Sequence, residues 1–248
     1  MNKTADHLII LSETDSSNNY AIRLIKDNNA IHGTTILALC QSSGKGQQRK
    51  QWDSEPNMNM LASIITNPRF LPAEKQFYLS MITSLAIYDF LNNEIAEVSV
   101  KWPNDIYCGN KKICGILIEN IVQGDYLFAS VAGIGLNLNQ TKFSSELANP
   151  ISLKMITGKN YLIEEVLISV RKNFFKLYDI LEAGLYNYIE DRYLSVLYKK
   201  GEWCRFKEKE RTFEAMIIGI GLYGRLVVKN RSGNISEYMF GEIELVKS

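Results

Sequence analysis

Four short clusters of polar residues could carry out chemistry in this chain. Asp15–Asn18 precedes a predicted helix, where hydroxyl and amide groups either cap the helix or surround a small polar ligand. The segment 41–52 contains two glycines, Gly44 and Gly46, and three positive charges without a negative one. Such a loop can bind phosphate through backbone amides and cations, although it lacks the Walker spacing. A basic surface loop is the equally good alternative.

The other two clusters follow predicted strands. Lys101–Ile106 reads KWPNDI, and Lys112 lies a hairpin's distance further on. Asp105 could hold Mg²⁺ or a substrate amine, and Lys112 could meet a carboxylate, but Pro, Asn and Asp also make simple tight turns. The segment 133–139 reads GIGLNLN, in which glycines let the backbone approach a flat ligand while Asn137 anchors it. Its alternative is a strand end bent by glycine.

Rare residue types exclude several kinds of enzyme. The only histidines are His7 and His32, and the four cysteines form no CxxC pair, so a zinc site is not expected. No G-x-S-x-G motif supports a serine hydrolase. Any catalysis must therefore rest on Lys, Arg, Asp, Asn and backbone groups.

Composition bounds the class of protein. The 248 residues are 46% hydrophobic and 22% charged, which is enough apolar material for a sizeable core. The net charge of +1 gives no bulk attraction for DNA or anionic membranes. No apolar run is long enough to span a membrane, and the first residues turn polar too early for a signal peptide. We therefore expect a cytoplasmic protein that binds neither DNA nor membrane.

Hydrophobic patterning predicts an α/β body followed by a small β-barrel. The predicted strands of the body are 7–11, 34–40, 59–66, 98–102, 113–119 and 126–135. The predicted helices run from 15 or 16 to 26, from Pro72 onward, and from 163 to 188, and a long loop covers 41–57. Beyond a charged connector at 199–211, short strands at 212–218, 226–228 and 237–240 alternate with glycine turns.

The order and spacing of these features closely resemble the biotin protein ligases, also called biotin–[acetyl-CoA-carboxylase] ligases. KWPNDI followed by KICGILIE at 112–119 is the most specific part, and GIGLNLN is the next. The resemblance implies an α+β catalytic domain over 1–198, with a mixed sheet and flanking helices of the class II aminoacyl-tRNA synthetase and biotin ligase type. It also implies an SH3-like C-terminal β-barrel over 199–248.

The resemblance further implies ATP, Mg²⁺ and biotin as ligands, and as acceptor a lysine of the biotin carboxyl carrier protein domain of a biotin-dependent carboxylase. The implied catalytic residues are Lys112, Asp105 and Lys101, with Asp105 also a candidate metal ligand. The implied biotin-binding residues are Ser16, Ser17, Asn18, Gln41, Gly44, Lys45, Gly46 and Lys112. The implied nucleotide-binding residues are Lys50, Trp52, Lys101, Asn104 and Asn137.

The basic loop departs from the family pattern. The family loop commonly reads GRGRRGR, whereas this chain has Gln47 in place of an arginine and Arg49 in place of a glycine. A neutral amide cannot form a charged bidentate clamp on phosphate. We therefore hypothesise looser retention of biotinyl-AMP, unless Arg49 substitutes.

Some alternatives stay open. Only six residues precede the first predicted strand, so we expect the monofunctional form without an N-terminal DNA-binding domain. A homodimer is possible, as in some relatives, but the sequence does not decide the oligomeric state. A lipoate or octanoate ligase shares the catalytic fold, but its loop signature is absent. A non-catalytic biotin sensor is the other reading, although binding alone needs no phosphate-neutralising loop.

Overall fold

The computed structural model describes residues 7–246, apart from the side chain of Arg49. Residues 1–6 and 247–248, at the outer ends of the two predicted domains, lie outside the described residues. The same holds for the side chain of Arg49 and therefore for its predicted role. A seven-stranded mixed sheet forms the centre of the body, in the order β1-β2-β3-β7-β6-β5-β4. Its strands are β1 Leu8–Leu11, β2 Thr35–Ala38, β3 Met60–Thr66, β4 Val98–Lys101, β5 Asp105–Cys108, β6 Lys111–Gln123 and β7 Tyr126–Leu136.

Helices cover the two faces of this sheet differently. The helices are α1 Ser17–Lys26, α2 Phe77–Leu91, α3 Leu153–Thr157, α4 Ile163–Glu182 and α5 Tyr186–Ser195. The long apolar helices α2 and α4 pack together over one face and enclose the main core. Helix α1 covers part of the other face, where it buries Ala21 against Ile36, Ile65 and Val131. The remainder of that second face is left for the loop 41–57.

Strand register places the chemistry-bearing residues in one transverse row. Gly115 of β6 pairs with Gly135 of β7, and on its other side Gly115 pairs with Asp105 of β5. Asp105 in turn pairs with Lys101 of β4, and Gly135 pairs with Leu61 of β3. Paired residues of neighbouring strands point to the same face of a sheet. The row therefore lies on the second face, beneath the loop.

The segment after 200 forms a separate five-stranded antiparallel sheet in the order β11-β10-β9-β8-β12. Its strands are β8 Trp203–Glu208, β9 Arg211–Ile220, β10 Leu226–Asn230, β11 Ile235–Tyr238 and β12 Glu244–Leu245. The C-terminal β-strands predicted from the sequence are thus confirmed, and they form one antiparallel sheet. Among the strands described, however, no pairing joins β11 to β12, so no closed barrel is found.

Several predicted elements differ from those observed. The helix expected from Pro72 is a 3₁₀ turn, Ala73–Lys75, before α2 begins at Phe77. The single helix expected over 163–188 is two helices, because the turn at Gly184, with φ +74°, separates α4 from α5. Strand β5 occupies what reads as a turn, and β8 lies inside the predicted solvated connector. No helix within residues 7–246 is both long and apolar enough to cross a bilayer.

Candidate functional site

A cavity of about 60 Å³ lies between the second sheet face, the start of α1 and the loop 41–57; we call it the site cavity. A larger hollow of about 600 Å³ opens beside it, against the same loop. The residues predicted as ligands that line the site cavity are Ser16, Ser17, Asn18, Gln41, Lys45, Gly46, Trp52, Asn104 and Lys112. Gly44 and Lys50 line the neighbouring hollow.

Three predicted residues line neither space. Asn137 is 4% exposed and uses its amide to donate to the carbonyl of Ile151 at 3.0 Å. Lys101 donates to the hydroxyl of Tyr107 at 3.0 Å. Burial, followed by the nearby carboxylate of Asp105, raises the pKa of Tyr107, so this phenol stays protonated and able to accept that bond. The ligand roles of Lys101, Asp105 and Asn137 remain predictions.

The floor of the site cavity is made of glycines under an indole ring. A Cβ added to Gly115 or Gly135 would lie 2.6 Å or 2.5 Å from the ring of Trp52, so this ring rests directly on the two paired strands. Any larger residue at either position would lift the ring. Trp52 Nε1 is buried and has no hydrogen-bond partner among the described residues, which is costly unless a ligand or water supplies one.

One end of the cavity, the hydroxyl end, is neutral and tightly bonded. The backbone N–H of Ser17 donates to Gln41 Oε1 at 2.7 Å, which ties the start of α1 to the start of the loop. Ser63 Oγ lies 2.8 Å from Ser17 Oγ and 2.6 Å from Asn18 Oδ1. Asn18 lies so close to Gly133 that an added Cβ there would be 2.3 Å from its Oδ1. Gly133 is therefore required for Asn18 to take this position.

The opposite end, the lysine end, is charged. Lys112 Nζ lies 2.7 Å from Asp105 Oδ1 and 5.5 Å from the ring centre of Trp52. A β-bulge places Lys112 there: Ile106 pairs with Cys114 but Tyr107 pairs with Lys112, which leaves Ile113 as an extra residue in β6. Such an insertion reverses the alternation of side chains. Lys112 consequently points to the same face as Gly115, whose added Cβ would lie 3.4 Å from Lys112 Cε.

Asp15 is held away from the site cavity. Its carboxylate accepts two hydrogen bonds from the guanidinium of Arg23, at 2.9 and 3.1 Å, and one from Asn19 at 2.6 Å. The bond from Arg23 is the main reason that the pKa of Asp15 lies well below its usual range. Asp15 thus stabilises the first turns of α1, while the three residues after it line the site cavity.

The described side chains do not form a ready-made metal cage. Asp105 is paired with Lys112, and within residues 7–246 no three His, Cys, Asp or Glu side chains lie close enough together to hold a metal ion. Mg²⁺ usually binds through one or two carboxylates together with substrate phosphates. The metal role of Asp105 therefore stays a prediction.

Sequence reasoning did not single out some residues that shape the site. Ser63 is fully buried in the apolar strand β3, and a lone serine in such a strand was a usable signal. Gly115, Leu117 and Glu119 alternate along β6 on the side facing the loop, and they stand inside the KICGILIE motif. The sequence showed that these three residues alternate, but not which face of the sheet they lie on.

Comparison with known families decides the family. The sequence model described as the Biotin/lipoate A/B protein ligase family matches residues 11–137, just over half of the chain. The chain belongs to this family. The match begins in β1 and ends at Asn137, so it spans every ligand residue predicted from the sequence. The resemblance inferred from KWPNDI and GIGLNLN is thereby confirmed.

Individual members of the biotin/lipoate ligase family resemble the chain over nearly its whole length. The bifunctional ligase/repressor BirA of Bacillus spizizenii is 27% identical over 96% of this chain and 74% of its own length. The biotin–[acetyl-CoA-carboxylase] ligase of Paracoccus denitrificans is 26% identical over 94% of this chain and all of its own. The structure of the biotin protein ligase of Aquifex aeolicus in complex with biotin and ATP has a TM-score of 0.81, at 29% identity, and covers 98% of this chain and all of its own.

Proposed function

We propose that this protein is a biotin protein ligase, which activates biotin with ATP to biotinyl-5′-AMP and transfers the biotinyl group to a lysine of a biotin carboxyl carrier protein. One observation carries the proposal. A single cavity joins a neutral hydrogen-bonding end, a glycine floor under Trp52 and a lysine at the opposite end. A small elongated acid with a polar ring and a terminal carboxylate matches that order of groups.

The hydroxyl end would bind the cyclic urea of biotin. Ser16, Ser17 and Gln41 supply donors and acceptors there, and Ser17 and Asn18 are held in place by Ser63. Recognition of this kind is specific because the buried polar groups lose their partners when the wrong ligand binds. The apolar part of biotin would then lie along the glycine floor, against the indole of Trp52.

The lysine end suits adenylation. A carboxylate oxygen of biotin attacks the α-phosphorus of ATP, a bond to biotin forms, and pyrophosphate leaves. Two anions must approach each other in this step, so cations lower its barrier. Lys112 would hold the carboxylate, and Lys45 and Lys50 of the loop would offset phosphate charge. These lysines are positive charges that the chain itself provides next to the site cavity.

Transfer needs a neutral amine. The ε-amine of the acceptor lysine attacks the acyl carbon of biotinyl-AMP, the amide forms, AMP leaves, and the amine gives up a proton. Asp105, 2.7 Å from Lys112, is the residue we propose to orient that amine or receive its proton. An Asp105→Ala variant should slow transfer in single-turnover assays; unchanged rates of both half-reactions would contradict this role.

Biotin-dependent exchange of pyrophosphate into ATP tests the proposed function directly. Purified protein should catalyse exchange with biotin and not with lipoate. Exchange with lipoate alone would assign the protein to the lipoate branch of the family. Biotin binding without exchange would instead indicate a sensor. Both outcomes would overturn the proposal.

The proposal extends to domains, partners and compartment. We assign residues 1–198 to catalysis and 199–248 to an SH3-like module, which docks on the body where Trp102 Nε1 donates to the carbonyl of Gly224 at 2.8 Å. The net charge of +1 offers no bulk attraction for DNA, so no DNA-binding role is included. The four free cysteines are typical of a reducing compartment such as the cytoplasm. Sedimentation would decide between a monomer and a homodimer.

A further inference from the structure

Glu119 lies beside the hydroxyl end of the site cavity, and the reaction described above does not use it. On β6 it follows Gly115 and Leu117 at alternate positions, on the same face of the sheet. It lines the hollow next to the site cavity, and its side chain is 29% exposed. Lys112, which marks the reacting end, is at the other end of the row of β6 residues.

The carboxylate of Glu119 contacts two elements at once. Its Oε2 accepts a hydrogen bond from Asn18 Nδ2 at 2.8 Å, in the first turn of α1. Its Oε1 lies 3.6 Å from Nζ of Lys45, which belongs to the loop 41–57. One side chain therefore connects the sheet, the helix start and the loop.

The hydrogen bond from Asn18 to Glu119 is part of a network that extends to the hydroxyl end of the cavity. Both groups that face Asn18 Nδ2, the Glu119 carboxylate and the Leu117 carbonyl, can only accept, and this fixes the orientation of the amide. Asn18 Oδ1 must then accept from Ser63, which leaves Ser63 Oγ free to accept from Ser17. The orientation of these hydroxyls therefore follows from the two acceptors, at Leu117 and Glu119, that face Asn18 Nδ2.

The loop is attached to this same network at two points. Gln41 binds the backbone N–H of Ser17 at its start, and Lys45 pairs with Glu119 four residues later. The first attachment is a short bond to a buried residue. The second is a longer ion pair in which the side chain of Lys45 is 41% exposed, so it is the one that can open.

We propose that Glu119 is a positioning residue that holds the Lys45 arm of the loop over the bound biotinyl group and orients Asn18 beneath it, so that its negative charge slows the release of biotinyl-AMP. The proposal rests on the proposed ligase function for its ligand. Glu119 acts through Lys45 and Asn18 and touches no reacting atom.

A double-mutant cycle tests the proposal. Glu119→Gln keeps the size of the side chain and an acceptor for Asn18, but removes the charge that Lys45 requires. Lys45→Met removes the other partner, and the third protein carries both changes. Glu237→Gln is the matched control, because Glu237 pairs with Arg225 at 3.9 Å in the C-terminal sheet, away from the cavity. The two readouts are the release of biotinyl-AMP and the cleavage of the unliganded loop by chymotrypsin after Trp52.

We expect Glu119→Gln and Lys45→Met each to speed release and cleavage about threefold, as for a partly exposed ion pair. The double variant should be no faster than either single variant, and added salt should bring the wild type toward them. For Glu119→Gln, the rate of adenylation under saturating substrate should change less than release. Additive effects, an absence of salt dependence, or release equal to that of Glu237→Gln would overturn the proposal.

The cleavage assay separates this proposal from the proposed function. It needs neither biotin nor ATP, so its rate measures how strongly Glu119 restrains the loop even if no pyrophosphate exchange occurs. Coupled cleavage rates without biotin-dependent exchange would support the loop attachment and overturn the assigned ligand. Exchange with uncoupled cleavage rates would support the ligase function and overturn the role of Glu119.

Discussion

The two ends of the site cavity are built on opposite principles. At the hydroxyl end Ser17, Asn18 and Ser63 are neutral, at most 5% exposed, and joined by short hydrogen bonds. At the lysine end Lys112 and Asp105 carry full charges, and their side chains are 31% and 20% exposed. One end is fixed before any ligand arrives, whereas the other holds an ion pair that substrate can replace.

This difference separates recognition from reaction. A buried polar group that loses its partner costs the full price of its desolvation, so the hydroxyl end discriminates strongly between ligands. A partly exposed ion pair exchanges partners at little cost, so Lys112 can turn from Asp105 to an incoming carboxylate. We therefore expect changes at the hydroxyl end to alter binding, and changes at the lysine end to alter rate.

The largest effect is expected for Lys112→Met. Loss of the cation that holds the carboxylate should lower biotin-dependent pyrophosphate exchange by about 100-fold or more. Biotin binding, measured by calorimetry, should weaken far less. Lys111→Met is the matched control, since Lys111 is the exposed neighbour on the same strand. An equal loss of binding and exchange would contradict the proposal that the hydroxyl end governs binding and the lysine end governs rate.

Gly135→Ala tests the floor that joins the two ends. The added methyl group would lie 2.5 Å from the Trp52 ring and force it upward. Overpacking of this kind should weaken biotin affinity about tenfold to 100-fold. Gly219→Ala is the control, because no atom lies within 4 Å of its added Cβ. Unchanged affinity with Gly135→Ala would show that the indole leaves this floor freely.

Ser17→Ala probes the hydroxyl end alone. It removes the hydroxyl next to Ser63 and a ligand partner, and should weaken biotin binding about tenfold. The exchange rate at saturating biotin should change little. A Ser43→Ala change in the neighbouring hollow serves as control. A fall in the saturated rate as large as the loss of affinity would contradict a purely binding role.

The smallest effect is expected for Gln47→Arg. Gln47 lines both cavities, and its Oε1 is buried without a partner among the described residues. An arginine there could clamp phosphate and should slow biotinyl-AMP release about threefold to tenfold. Gln123→Arg, at the exposed end of β6, controls for added charge. Release from the unchanged protein that is no faster than from Gln47→Arg would refute the idea that Gln47 loosens retention.

Local patterns were sufficient to predict six of the seven strands of the large sheet, the start of α1 and the functional loop. KWPNDI and GIGLNLN also identified the family, because their residue types are unusual at those spacings. Nine of the predicted ligand residues line one cavity, and two more line its neighbour. The sequence was therefore sufficient to identify ligand residues that lie near one another along the chain.

Contacts that depend on the order of the strands in the sheet could not be predicted from the sequence. The pairing of Gly115 with Gly135 and the bonds of Ser63 to α1 join segments far apart in sequence, and no local pattern specifies them. The break between α4 and α5 was missed because apolar spacing continues across Gly184. The bond from the amide of Asn137 to the carbonyl of Ile151 was likewise not foreseen, and the ligand role of Asn137 stays a prediction.

The bulge at Ile113 makes the length of β6 as important as its composition. Without the bulge, unbroken alternation would place Lys112, three positions before Gly115, on the opposite face, with its amine in the apolar layer beneath the sheet. Every residue of the motif would still be present, in the same order. Deletion of one residue between Lys112 and Gly115 would keep the amine on the site face, because residues two positions apart share a face in a regular strand. The direction of this side chain therefore depends on the number of residues along β6, which surveys that use substitutions alone do not vary.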